Sequence, residues 1–176
     1  MRLSARLPWL FLWVAVAGLV LVADHHTKQM AEDALTLYRP VPITDWLNMT
    51  LAHNRGAAFS MLADAGGWQR WLFSGLAIGI SALLFGWLIR LRAGDWRNGL
   101  ALALLIGGAL GNLVDRLTLG YVIDFIDVHA AGYHWPAFNI ADAAITSGVI
   151  LLLIDAVIDW RRERAERAAE RAAGQD

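Results

Sequence analysis

The chain has 176 residues, 57% of them hydrophobic and 18% charged, with a formal net charge of −1 and no cysteine. That length suits one domain, and the apolar excess excludes an ordinary soluble domain in favour of a membrane protein. The near-neutral charge offers nothing to nucleic acid, and without cysteine there is no disulfide, thiol nucleophile or thiolate-bound metal.

Leu7 to Ala23 is the first charge-free apolar run, followed by Trp71 to Ile89 and Asn98 to Val114. A fourth, Trp135 to Ile154, is interrupted by one acid, Asp142. Each has about the ~17–25 residues that cross a bilayer core as helix, and helices satisfy their own backbone in lipid. The reading is an all-α membrane protein, one domain over 1–176, with spans at about 7–25, 69–90, 97–116 and 136–158 and a tail over 161–176. The first run has a basic start but no small-x-small cleavage pattern after it, so it is read as a retained span. Nine tryptophans suit the aromatic belts at headgroup level.

Ten of the 15 basic residues (Arg2, Arg6, Arg90, Arg92, Arg97, Arg161, Arg162, Arg164, Arg167 and Arg171) fall on one side of a four-span layout. By the positive-inside rule that side is cytoplasmic. Both termini are then cytoplasmic, and all five histidines lie outside. The tail alternates Arg and Glu with Ala and reads as a solvated helical extension. The first outer segment, His25 to Arg70, has strand-like pieces between Ile43 and Leu62. In the second, Thr118 to His134, the piece Val122 to Ile126 is β-branched and aromatic and reads as extended.

Ionisable groups at membrane depth are costly and therefore functional candidates. Asp24 and Lys28 close the first span four residues apart, so they share a helical face; the plain alternative is an interfacial ion pair with a snorkelling lysine. Gly107 and Gly111 in the third span form a small-xxx-small pair that lets a helix approach closely. Asn112 and Arg116 share the face above it, with Asp115 beside them. They are either interfacial anchors or a cradle for the carbonyls of an extended substrate. Asp124 sits among Val122, Ile123, Phe125 and Ile126. Asp142 interrupts the fourth run behind Asn139, which also fits a helix cap with a first-turn acid. Two carboxylates at the mouth of a bundle suggest a dyad sharing one proton. Asp127 competes as the second acid, but on a strand it faces opposite Asp124. There is no H-E-x-x-H zinc signature and no G-x-S-x-G elbow. A proton-coupled transporter is the alternative class, and it needs acids along a path across the membrane; a non-catalytic scaffold is the third.

Taken in order, Asp24-His25-His26-Thr27-Lys28, Asn54-Arg55-Gly56-Ala57-Ala58-Phe59, Gly107 to Arg116, Val122-Ile123-Asp124-Phe125 and Pro136 to Asp142 resemble the prolipoprotein signal peptidase (signal peptidase II) family over roughly Leu7 to Trp160. The resemblance implies a four-helix membrane bundle with a small β-structured cradle and a short outer helix from the first periplasmic loop. It implies an aspartyl endopeptidase of the bacterial inner membrane, with its site near the periplasmic face. Its substrates would be diacylglyceryl-modified prolipoproteins, cut just before the lipidated cysteine. The catalytic pair would be Asp124 and Asp142. Asn54, Asn112, Arg116 and Asn139 would line the substrate site, with Asp24, Lys28 and Asp115 in support. No metal or organic cofactor is expected; the partners are substrate and membrane lipid, and the protein is expected to be a monomer. One position departs from the pattern: a glutamine commonly follows the first aspartate, and here His25 does.

Overall fold

The computed structural model describes residues 3–56 and 67–173. Four helices carry the fold: α1 (Leu3–Ala34), α2 (Trp68–Arg90), α3 (Trp96–Thr118) and α4 (Ile140–Ala173). All four are long and apolar enough to cross a membrane. Between them the chain forms β1 (Val41–Thr44), β2 (Leu47–Asn54), β3 (Val122–Ala130) and β4 (Tyr133–His134), one antiparallel sheet in the order β1-β2-β3-β4.

The helix at the centre is α3. Of its most apolar stretch 61% is buried, against 17% for α1, 17% for α2 and 22% for α4. The other three display Leu, Ile, Val, Phe and Trp outward, the side chains a lipid-facing surface requires. Packing on α3 is close where the sequence places glycine. A Cβ on Gly107 would stand 2.6 Å from the Ala17 carbonyl oxygen of α1, and one on Gly111 would stand 2.6 Å from Asp24 Oδ2. One apolar cluster, Trp13, Ala17, Leu88, Leu102, Ala103 and Ile106, joins α1, α2 and α3.

Two helices differ in extent from the apolar runs. At 32 residues α1 is about 48 Å long at 1.5 Å per residue, well beyond a ~30 Å hydrocarbon core. Its last turns run past Ala23 and under the sheet, where Ala31 packs with Leu51, Ile123 and Phe125. In turn α4 begins at Ile140 and not at Trp135, because the apolar residues before it are bound to β3. Phe125 N and Ile126 N both donate to the Phe138 carbonyl, and Trp135 N donates to the Val128 carbonyl. The short outer helix implied for the first outer segment has no counterpart among its described residues, and 57–66, which include Ala57 to Phe59 of the second motif, lie outside them.

The β2–β3 register sets Asn48 opposite Asp127, Ala52 opposite Asp124 and Asn54 opposite Val122. This sheet closes one end of the bundle, and the polar side chains gather where it meets α1, α3 and α4.

Candidate active site

The site is built from its buried cation outward. Lys28 and Asp24 are one turn apart on α1, and each side chain is only 1% exposed. An ammonium has three N–H donors. Those of Lys28 meet Asp24 Oδ2 at 2.7 Å, Asp115 Oδ2 at 2.8 Å and Asn112 Oδ1 at 3.0 Å. A snorkelling interfacial lysine is thereby excluded. Two carboxylates against one ammonium leave a surplus negative charge, which backbone donors offset: Ala141 N, in the first turn of α4, donates to Asp24 Oδ1 at 2.8 Å, and Ile123 N donates to Asp115 Oδ2 at 3.2 Å. The cluster thus ties α1 to α3, to α4 and to the start of β3.

Asn112 carries this order to the first candidate acid, since its Nδ2 donates to Asp142 Oδ1 at 2.7 Å. Asn139, wholly buried, serves the second. Its Nδ2 lies 2.7 Å from Asp124 Oδ1, 3.1 Å from the Ile123 carbonyl and 3.2 Å from Asn112 Oδ1. Its Oδ1 accepts from Asp142 N at 2.9 Å, the N-cap bond of α4. The helix-cap reading of Asn139-Ile140-Ala141-Asp142 is therefore right for the backbone, and it leaves the Asp142 carboxylate free for other work. Asp124 Oδ2 accepts from Asn54 Nδ2 at 3.0 Å, across the β2–β3 ladder.

Asp124 is 2% exposed, and its carboxyl is pushed up to about 7. Burial does most of this and the charge of Asp142 adds to it, while the Asn54 bond, the Lys28 charge and the Asn139 bond oppose it. Asp124 and Asp142 line one cavity of about 810 Å³ together with Asn54, Asn112 and Arg116. Tyr38, Val122 and the segment from Trp135 to Phe138 give it an apolar side, and Ala143, Ile145, Thr146 and Ser147 continue it along α4. Arg116 donates to the Asn112 carbonyl at 3.3 Å and lies 5.4 Å over the Phe73 ring. It shares the cavity lining with the two acids. Asn139, Asp24, Lys28 and Asp115 stand behind this lining and hold it.

Asp127 belongs elsewhere. It accepts from Asn48 Nδ2 at 2.9 Å and sits 2.9 Å from His134 Nδ1. Burial would raise its carboxyl, but the bonds from Asn48 and His134 hold it below the usual carboxylate range. It fastens the β3–β4 hairpin to β2. His25, the departure from the family pattern, is exposed.

Two features escaped the sequence reading. One is this Asn48–Asp127–His134 group, whose parts are distant along the chain. The other is Asp155 in α4, 6% exposed at the opposite end of the bundle, which forms an ion pair with Arg97 and accepts from Asn98 Nδ2 at 2.7 Å. The only sequence signal for it is an acid placed directly after the fourth apolar run. Among the described residues, no group of three or more His, Asp or Glu side chains is arranged to hold a metal ion.

The family model described as signal peptidase (SPase) II matches residues 16–158, a stretch that contains every residue of this network. The chain belongs to the signal peptidase II family. It is 55% identical over 145 residues to a lipoprotein signal peptidase of Teredinibacter turnerae, covering 82% of this chain and 86% of that one. With the lipoprotein signal peptidase of Acinetobacter baylyi the identity is 49% over 161 residues, covering 92% and 89%. A bacterial membrane enzyme solved by the in meso method at 2.3 Å superposes with a TM-score of 0.75 at 34% identity, covering 84% of this chain and 88% of that one. As a signal peptidase II, this multi-pass membrane protein places its two cavity-lining acids where the helix bundle meets the sheet.

Proposed function

We propose that this peptidase removes signal peptides from diacylglyceryl-modified prolipoproteins, cutting just before the lipidated cysteine, with Asp124 and Asp142 as its catalytic pair. The observation that carries this reading is that the two acids line one cavity together, Asp142 held by Asn112 beside it and Asp124 by Asn139 behind it. An isolated interfacial acid needs no such support.

In this mechanism the pair shares one proton, carried at rest by Asp124, the acid that burial and the charge of its neighbour make easiest to protonate. Asp142, fixed by Asn112, draws a proton from a water as its oxygen attacks the scissile carbonyl. Asp124 donates its proton to the carbonyl oxygen. When the tetrahedral intermediate collapses, the proton taken by Asp142 passes to the leaving amine, the C–N bond breaks, and one hydroxyl proton returns to Asp124, which leaves the carboxylic acid product and restores the pair. Arg116, Asn54 and Asn112 bind the extended substrate's backbone near the cut, and Asn139 is a positioning residue. A substrate with a lipid anchor is itself held in the bilayer, so the bond must be cut at the membrane surface. A site at one end of the spans, with an apolar side on its cavity, suits that need.

The enzyme is read as a monomer in the bacterial inner membrane, with both termini cytoplasmic, the sheet end periplasmic and membrane lipid around it. Ten of the 15 basic residues on one side support the orientation. The test is cleavage of a purified diacylglyceryl prolipoprotein by the purified protein in detergent. Release of the signal peptide immediately before the lipidated cysteine is expected. Cleavage elsewhere, or cleavage that survives Asp124→Asn, would defeat the reading.

A further inference from the structure

Tyr38 has a backbone that an L-residue with a large side chain rarely adopts. Its φ is +57°, in the left-handed region. Arg39 N donates to the Thr36 carbonyl at 3.0 Å, so Thr36 to Arg39 form a turn with Tyr38 third. A positive φ at the third position but not the second is the pattern in which glycine is ordinarily required. The conformation is pinned from outside the turn, because Tyr38 N donates to the Leu51 carbonyl of β2 at 2.8 Å. The side chain gains little burial in return, being 65% exposed. It nevertheless forms part of the cavity wall, as does Trp135, itself 55% exposed. A large residue at a glycine position, strained and largely uncovered, is unfavourable for the free protein, and such strain concentrates where a ligand uses it.

We propose that Tyr38 is a specificity-determining residue whose ring receives the acylglycerol portion of the lipid-modified substrate at the cavity mouth. This rests on the peptidase reading above. The ligand chemistry follows from the position: an amphipathic ring lining the same cavity as Trp135 suits a group with ester oxygens at one end and acyl chains at the other. The charged and amide side chains that suit a peptide backbone (Asn54, Asn112, Arg116) line the same cavity. Acylglycerol also belongs to membrane phospholipid, so the source has to be separated by experiment.

The test compares wild type, Tyr38→Gly and Tyr38→Phe in phospholipid-free detergent, on two prolipoproteins of one sequence carrying either an ester-linked dipalmitoyl glyceryl group or an ether-linked dihexadecyl glyceryl group that lacks the ester carbonyls. Tyr38→Gly suits the turn and is expected to unfold no earlier than wild type. Its KM on the dipalmitoyl substrate should rise roughly tenfold, the factor that about 1.4 kcal/mol represents, with kcat little changed. The rise should be distinctly smaller on the ether-linked substrate, and Tyr38→Phe, which keeps the apolar face and loses the hydroxyl, should fall between wild type and Tyr38→Gly on the ester-linked one. An unchanged KM would overturn the proposal, as would an equal rise on both substrates. An effect seen only when phospholipid is added back would assign the ring to membrane lipid, and a lowered unfolding midpoint would make its role structural; either also overturns it. Failure of the peptidase reading looks different, since the wild-type protein would then cleave neither substrate.

Discussion

Asn139 Nδ2 lies 2.7 Å from Asp124 Oδ1, and the oxygen of the same side chain caps the helix that carries Asp142. One wholly buried amide therefore sets the position of one acid relative to the other. The two duties can be separated by substitution. In Asn139→Ala both are lost, and the cap alone costs about 1 kcal/mol. In Asn139→Ser the cap is kept, but the side chain is too short to reach Asp124. Unfolding in detergent should rank the two variants with Ser nearer wild type, while the cleavage rate should fall at least tenfold in both. Normal turnover in Asn139→Ser would remove the positioning role.

Lys28 satisfies two buried carboxylates and Asn112 at once. Lys28→Met keeps much of the stem and removes the charge, leaving Asp24 and Asp115 uncompensated. Breaking a buried ion pair on one side costs roughly 3–5 kcal/mol. Denaturant unfolding should show a loss of that order, and a change under ~1 kcal/mol would mean that water or protons already compensate the pair.

The glycines give a paired prediction. A Cβ on Gly111 meets Asp24 Oδ2 at 2.6 Å and Ala141 Cβ at 3.3 Å, whereas one on Gly75 of α2 meets nothing within 4 Å. Gly111→Ala should displace the Asp24–Lys28 pair and lower both the unfolding midpoint and activity. Gly75→Ala should be neutral or stabilising by up to about 1 kcal/mol through helix propensity. Equal behaviour of the two variants would show that the α1–α3–α4 seam yields more than its spacing implies.

The pH dependence has a definite sign. The Asp124 carboxyl rises from an ordinary value of 3.8 to about 7 on folding. The folded protein therefore binds the proton more tightly than the unfolded chain does, and the contribution of Asp124 to stability is full below about pH 4 and is lost as pH rises through about 7. Wild type should lose midpoint relative to Asp124→Asn across that window, and cleavage should decline on the alkaline side of it. A constant difference between the two proteins across the window would contradict the raised value.

Much of this was legible in the chain, and the reasons for what was not are physical. Hydropathy finds the four apolar runs because lipid leaves helices little alternative. It misses the last turns of α1, since Asp24 and Lys28 read as an exit from the membrane until Asp115 and Asn112 of another helix are seen to take up the remaining Lys28 donors. Arg97 and Asp155 escape for the same reason: an acid and a base on different helices look like two separate costs. The start of α4 is hidden in the sequence because Trp135 to Phe138 are as apolar as the helix, and only their backbone bonds to Val128 and Ile126 keep them out of it. Asp124 and Asp127 were separable from the period of a strand alone, and their different partners agree with it.

The central claim is that Asp124 and Asp142 act as one catalytic unit. The direct measurement is the cleavage rate of a diacylglyceryl prolipoprotein by Asp124→Asn, Asp142→Asn and the double variant, with thermal unfolding followed on the same samples. Each substitution preserves size and removes the titratable proton. Each alone should nearly abolish cleavage, and the double variant should be scarcely worse than either, because groups acting together are not additive. Asp127→Asn should retain most activity. A folded Asp142→Asn enzyme with near-normal turnover would contradict the account, since asparagine would then do everything the aspartate does.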